Sequence, residues 1–249
     1  MVIGFCGSGN MAAAMARGWA GELGGTLFSD GGSGRARQLA EELGGEAVDN
    51  AELAERSDLL VLAVKPAKLE EVAPQLGAAK SVASILAGVP LARTREAFPG
   101  AQVLRVMPNV GVEVGKGVLC VAGDPMPEAR EALGLLGRVV EIGDDQFDEA
   151  TAIMSCSPAY MALLAEALAD AGVAEGIDPQ LVRELVTETA VGTAELLRIH
   201  SPAEVRESVT SPGGSTEAGL QALASVIGGG GLAAALAAAV AASLERMRG

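Results

Sequence analysis

Through the first 143 residues, short runs dense in Val, Ile and Leu alternate with amphipathic stretches. The apolar runs fall at 2–6, 26–29, 46–48, 59–64, 82–86, 103–107 and 118–121. Several have no polar interruption, the mark of strands buried on both faces. Helical stretches lie between them, at about 11–21, 34–43, 50–55 and 69–76. This alternation predicts crossover units and an α/β fold with a mostly parallel, doubly wound sheet. A last strand over 138–142 closes this half.

From Asp144 onward the strand pattern stops. One long helix is expected over 152–172, with Pro158 as the place where it would break. Asp178-Pro179 pairs an N-cap with a proline at the first helical position, opening a helix to about 199. Ser201-Pro202 repeats that signature for a short helix ending near 208. Gly213-Gly214 is a turn, and helices over 216–227 and 232–247 follow, separated by the glycine run 228–231. Two domains are therefore expected, 1–143 and an all-α 144–249, meeting near 143–145 without a flexible linker.

Composition narrows the function classes. The 249 residues are 49% hydrophobic and 20% charged, and a chain of this length buries about three-quarters of its unfolded surface. Lys plus Arg is 18 against 32 for Asp plus Glu, a net charge of −14, which repels phosphate backbones and argues against nucleic acid. One Trp, one Tyr and four Phe supply no stacking platform for bases. The first charge is Arg17, so the N-terminus lacks the basic segment of a signal peptide. The most apolar stretch, 232–244, is mostly Ala and too short for a membrane span. A cytoplasmic protein is expected. Cys6, Cys120 and Cys156 have no ligand spacing and read as reduced thiols, and one histidine gives no metal site.

Gly7-Ser8-Gly9-Asn10-Met11-Ala12 fits G-x-G-x-x-G/A, following a predicted strand and opening a predicted helix. In the Rossmann arrangement Gly7 permits the tight turn and Gly9 lets backbone approach a pyrophosphate. Ala12 lets the helix pack closely on the strand. Ser29-Asp30 ends the second strand, where an acidic side chain accepts hydrogen bonds from the ribose hydroxyls of NADH. Arg35 and Arg37 follow closely and suit the 2′-phosphate of NADPH, so the coenzyme is NADPH or NADH. Two further loops lie at carboxyl ends of strands, Ala63-Val64-Lys65-Pro66 and Met107-Pro108-Asn109. On its own Lys65 reads as a solvated lysine as readily as a ligand, and Asn109 is no more specific.

In the second half, five hydroxyls surround a Pro-Gly-Gly turn in Ser208-Val209-Thr210-Ser211-Pro212-Gly213-Gly214-Ser215-Thr216. Free N–H groups at such a turn bind a carboxylate, although Ser and Thr are also ordinary N-caps. With the Gly4–Ala12 segment and the two strand-end loops, this segment resembles pyrroline-5-carboxylate reductase over nearly the whole chain. The resemblance implies NADPH- or NADH-dependent reduction of pyrroline-5-carboxylate, the last step of proline biosynthesis. It places Gly7, Ser8, Gly9, Asn10 and Met11 at the coenzyme phosphates. Val64, Lys65 and Pro66 would line the bound coenzyme, Ala87 and Gly88 would lie near the nicotinamide, and Asn109 would sit in the next loop. Ser211, Gly213, Gly214 and Ser215 would hold the substrate carboxylate, with the catalytic Thr216 close to the ring nitrogen. It also implies homodimers with interlocked helices, and larger rings of dimers. The chain departs from the family pattern at Val110, at Ser155-Cys156-Ser157-Pro158-Ala159-Tyr160 and at Ser29-Asp30.

Two other readings compete. Hydroxyisobutyrate-type dehydrogenases share the layout but, by family resemblance, use a lysine in the helical domain. Here the four lysines are Lys65, Lys68, Lys80 and Lys116, none in the second half. His200, the sole histidine, reads as a surface residue at a helix C-terminus. A catalytically silent nucleotide-binding regulator would have no use for the intact Gly213-Gly214-Ser215-Thr216 segment.

Overall fold

The computed structural model describes residues 1–227 and 231–248, so most of the glycine run expected between the last two helices lies outside the described residues. Eight strands form one sheet: β1 (Val2–Cys6), β2 (Gly25–Ser29), β3 (Glu46–Ala47), β4 (Leu59–Leu62), β5 (Ser81–Ser84), β6 (Gln102–Pro108), β7 (Gly117–Ala122) and β8 (Gly137–Glu141). Their spatial order is β3-β2-β1-β4-β5-β6-β7-β8. The first six strands are parallel, and β1 pairs with β2 on one side and β4 on the other. The connections therefore leave β1 in opposite directions, the switch point where open α/β sheets bind ligands. The doubly wound α/β reading holds, with one addition. β7 runs antiparallel to β6, and β8 follows β7 in parallel, so the last two strands point the other way.

Apolar layers cover both faces. On one face α1 (Asn10–Gly18), α2 (Arg35–Leu43) and α6 (Pro127–Leu135) bury Ala12, Met15, Leu39 and Leu133 against Phe5 and Phe28. The other carries α3 (Asn50–Arg56), α4 (Leu69–Val72), α5 (Leu91–Ala97) and α7 (Phe147–Met154), burying Leu53, Leu69, Leu91 and Phe147. The helix expected over 69–76 is instead one α turn between two 3₁₀ turns, Pro66–Lys68 and Ala73–Leu76. Pro74 explains this, because it lacks an N–H and its ring collides with the carbonyl four residues back. The helix expected over 152–172 is two helices, α7 and α8 (Ser157–Ala174). Pro158 lies in the first turn of α8, where a missing N–H costs nothing, and the break falls at Ser155 and Cys156.

The chain divides into two compact units, Met1–Pro158 with the C-terminal residues from Ser243, and Ala159–Ala242. The first unit thus extends past the boundary expected near 143. The reason is α7, whose Phe147, Thr151 and Ala152 are buried. The second unit holds the rest of α8, then α9 (Pro179–Leu196), α10 (Pro202–Ser208), α11 (Ser215–Ile227) and the larger part of α12 (Gly231–Arg248). Asp178 caps α9 by accepting from Gln180 and Leu181 N–H, and Ser201 and Glu204 form a capping box on α10. Val182 is the one buried hydrophobic residue of this unit among the described residues. Met161, Leu164, Leu185, Val191 and Leu223 are each at least half exposed. The run Asp144–Ala174 is long and apolar enough for a bilayer, yet its first helix is packed on the sheet.

Candidate active site

The first unit brings the C-terminal ends of β1, β2 and β4 together. Gly7 leaves β1 at φ +100°, and a Cβ there would stand 2.6 Å from the Ala63 carbonyl oxygen. The Gly7 N–H donates to the Ser29 carbonyl at 3.0 Å, and Ala63 N–H donates to that of Cys6 at 2.8 Å. Gly9 differs from Gly7. Its φ is −75°, and a Cβ would meet nothing within 4 Å. No side chain caps α1, so its first-turn N–H groups face that open space. A backbone cradle at an uncapped helix N-terminus fits a coenzyme pyrophosphate.

The neighbours of this cradle divide into structural and available groups. The Ser8 hydroxyl is buried and donates to the Ser29 carbonyl at 3.1 Å, so it fastens β1 to β2 instead of facing a phosphate. Asn10 and Met11 open α1, Asn10 exposed and Met11 half-buried. The Ser29 hydroxyl donates to Asn50 Oδ1 at 2.7 Å, and Asn50 Nδ2 donates to Gln75 at 2.9 Å. Sequence reasoning passed over Asn50. Its signal was a polar residue just past the capping Asp49, at the helix start that follows β3.

Asp30 was expected to read the ribose. Its carboxylate is occupied instead, accepting from Gly32 N–H at 2.8 Å, Ser33 Oγ at 2.9 Å and Ala36 N–H at 2.9 Å. Burial raises its pKa, but these hydrogen bonds outweigh burial and hold it below the ordinary carboxylate range. Asp30 thus shapes the loop leading into α2. Arg35, from the first turn of α2, donates to Asn10 Oδ1 at 3.0 Å and so lies beside the start of α1.

Val64, Lys65 and Pro66 follow β4. Lys65 is exposed with no ion pair among the described residues, whereas Lys68 is held by Glu71 at 2.6 Å. Ala87 and Gly88 form an exposed turn after β5, with Gly88 at φ +70°. Asn109 was expected to meet coenzyme or substrate. Its Oδ1 accepts from Val118 N–H at 3.1 Å and its Nδ2 donates to the Met154 carbonyl at 3.2 Å, which makes it a fastener of α7. Burial pushes the Cys6 thiol up to about 11 and raises Cys120 as well, so neither is a thiolate at neutral pH.

The second unit carries the hydroxyl-rich turn. The Ser208 and Thr210 hydroxyls donate to the carbonyls of Val205 and Arg206, at 2.8 and 2.7 Å. Ser211, Ser215 and Thr216 are exposed, and their hydroxyls make no hydrogen bond among the described residues. The Gly213 N–H already donates to a carboxylate, Glu217 Oε2, at 2.7 Å, and the Gly214 N–H donates to the Ser211 carbonyl at 2.9 Å. Ser215 and Thr216 then open α11 with first-turn N–H groups. His200 is exposed just beyond the end of α9, as expected. Among the described residues, no group of His, Cys, Asp and Glu could hold a metal ion.

A Rossmann sheet with a glycine cradle at its switch point, followed by a helical unit with a carboxylate-accepting turn, defines an NAD(P)-dependent oxidoreductase of the two-domain type. Residues 144–249 match the family described as pyrroline-5-carboxylate reductase dimerisation, and residues 2–88 match NADP oxidoreductase coenzyme F420-dependent. The chain is 40% identical over 186 residues to the pyrroline-5-carboxylate reductase of Synechocystis sp., covering 70% of each. Its fold is similar to the 1-pyrroline-5-carboxylate reductase of Streptococcus pyogenes, with a TM-score of 0.87, 30% identity and coverage of 100% and 98%. It is similar too to the Plasmodium falciparum pyrroline carboxylate reductase with NADP bound, with a TM-score of 0.84, 26% identity and coverage of 100% and 97%. The chain belongs to the pyrroline-5-carboxylate reductase family, the one its sequence resembles.

The contrast between the two glycines yields a test. Gly9→Val fills open space at ordinary φ, so the protein should fold with an unchanged melting temperature while NADPH binding, followed by fluorescence titration, is lost. Gly7→Ala forces a methyl against the Ala63 carbonyl at a φ that disfavours side chains, and should lower the melting temperature. Undiminished NADPH binding by Gly9→Val would remove the cradle from the site.

Proposed function

We propose that this chain reduces 1-pyrroline-5-carboxylate to L-proline in the cytoplasm, as the last step of proline biosynthesis. Bound NADPH or NADH supplies the hydride for the imine carbon, and the ring nitrogen gains a proton from water. A cyclic iminium is already electrophilic, so the chain's task is anchoring and orientation more than strong base catalysis. The observation that carries this reading is the turn before α11, where three exposed hydroxyls with no partner among the described residues sit beside first-turn N–H groups.

Ser211, Gly213, Gly214 and Ser215 form the substrate-binding segment. With Gly213 N–H given to Glu217 and Gly214 N–H to Ser211, the carboxylate anchor moves onto the N–H groups of Ser215 and Thr216. The Thr216 hydroxyl orients the ring nitrogen. Gly7, Gly9, Asn10 and Met11 cradle the pyrophosphate through backbone. Lys65, Val64 and Pro66 flank it, and Ala87 and Gly88 lie on the nicotinamide side. Residues 1–143 bind coenzyme, and residues 144–249 bind substrate and join two chains. A lone second unit leaves Met161, Leu164 and Leu185 in water, so the partner is a second copy, assembling as an interlocked dimer and beyond it a ring of dimers. Neither nucleic acid nor a membrane enters this reading.

Purified protein should oxidise NADPH in the presence of pyrroline-5-carboxylate. Thr216→Ala should lower kcat/KM by roughly ten- to a thousandfold, the effect of losing one positioned donor, with NADPH affinity unchanged. Tyr160→Phe should lose far less. Full activity in Thr216→Ala with a dead Tyr160→Phe would transfer the nitrogen contact to Tyr160.

Coenzyme choice falls to Arg35 and Arg37, because the Asp30 carboxylate is already used by its own loop and Arg35 lies beside the start of α1. Arg35→Ala should lower the NADPH-to-NADH preference by about ten- to a hundredfold, the worth of a charge-assisted hydrogen bond. An unmoved ratio would shift the choice to Arg37.

Light scattering at micromolar concentration should return at least twice the 25.0 kDa mass of one chain. A monomer mass would overturn the shared-helix assembly.

A further inference from the structure

Arg105 lies in the middle of β6, and its side chain is only 3% exposed. A guanidinium cannot shed its charge, so at that depth it must be compensated in place. Two carboxylates do so. Arg105 Nη1 donates to Asp144 Oδ1 at 2.8 Å and Nη2 to Asp148 Oδ1 at 2.6 Å, while its Cζ lies over the Phe147 ring, 4.1 Å from the ring centre. Nε has no partner among the described residues, so the compensation falls on those two aspartates.

The two aspartates are not equivalent. Asp148 lies in the first turn of α7, and among the described residues its side chain bonds to Arg105 only. Asp144 has a second bond. Its Oδ2 accepts the N–H of Leu91 at 3.1 Å, the first residue of α5. Leu91 comes three residues after Gly88, so the chain from Arg105 through Asp144 ends on the exit of the Ala87–Gly88 turn. Pro90 precedes Leu91 and fixes the backbone between them. At its other end the turn is held by the Ile85 N–H, which donates to the Leu62 carbonyl at 3.1 Å.

We propose that Asp144, held by the buried Arg105, is a positioning residue for the Ala87–Gly88 turn and thereby for the nicotinamide end of the coenzyme site. This rests on the reading that places the nicotinamide at that turn. The burial of Arg105 makes the tether stiff, because swinging Asp144 away would strand a charge in the core. The same clamp fastens Asp144 and α7 to the sheet.

The difference between the aspartates gives the experiment. Asp144→Ala removes both the Arg105 pairing and the Leu91 acceptor, whereas Asp148→Asn weakens Arg105 without touching the turn. Hydrogen exchange of the Leu91 amide in coenzyme-free protein should speed up at least tenfold in Asp144→Ala and stay near wild type in Asp148→Asn. Steady-state kinetics should show kcat down about ten- to a hundredfold in Asp144→Ala, the effect of small misplacement, with the coenzyme KM within about twofold. Asp144→Asn keeps an oxygen for Leu91 N–H and should recover most of that loss. If Asp144→Ala does not fold, Asp144→Ser makes the same cut with a smaller packing change. Equal effects of the two aspartates on Leu91 exchange and kcat would overturn the proposal and leave Arg105 a structural pair. A wild-type protein without reductase activity would instead refute the function proposed above, while Leu91 exchange would still report on the tether.

Discussion

At Gly7 the chain leaves β1 so close to the start of the next loop that a single methyl would stand 2.6 Å from the Ala63 carbonyl oxygen. That approach sets the geometry of the whole first unit. It lets α1 begin directly above the edge of β1, with Ala12, Ala13 and Ala14 packed against the sheet. With α1 so placed, its uncapped first turn opens over the switch point between β1 and β4. The Gly7 N–H and Ser8 hydroxyl both donate to the Ser29 carbonyl, so the same turn fixes where β2 ends. Arg35 reaches Asn10 only because α1 and the loop after β2 are held together there.

Residues named as ligands by pattern thus divide into those that build the site and those left free to use it. Ser8, Asp30 and Asn109 have their polar groups engaged within the fold. Among the described residues the side chains of Lys65, Ser215 and Thr216 do not, and a Cβ on Gly9 would meet open space. A polar group already bonded in the folded chain must break that bond to serve a ligand, so the free groups are the stronger candidates. The division also separates tasks by element. Backbone at the helix starts is left open to an anion, and side chains behind it set the loops.

The sheet was legible because parallel strands covered on both faces read as unbroken apolar runs, and all eight strands were placed within about two residues. The glycine fingerprint was legible because its spacing follows from backbone geometry. Other features left weaker signals. α5 and α6 are short, and their apolar positions are few, although Pro127 at the first position of α6 was a readable start. The antiparallel turn from β6 to β7 passes through a 3₁₀ segment, Val110–Val114, which carries no periodicity of its own. The first compact unit runs on to Pro158, past the expected 143 that the family match over 144–249 shares, because α7 follows the last strand with helical pattern yet packs on the sheet. Only the Arg105 pairing, invisible in sequence, shows why. Occupied carboxylates and amides are equally invisible, since a sequence does not say which hydrogen bonds are already made.

A chain with a net charge of −14 must still receive a pyrophosphate and a carboxylate if its proposed chemistry is right. Distant charges act weakly, because at physiological salt their field is screened over about 8 Å. What an anion would meet is local: the uncapped start of α1, the start of α11 and Lys65, which has no ion pair among the described residues. Glu217 already sets a carboxylate on the Gly213 N–H, so the turn before α11 accepts an anion from within the chain itself. Backbone dipoles add no net charge, so the surface stays acidic. In the proposed chemistry the pyrophosphate and the carboxylate would be received at these two helix starts, where local N–H groups act and the distant net charge is screened.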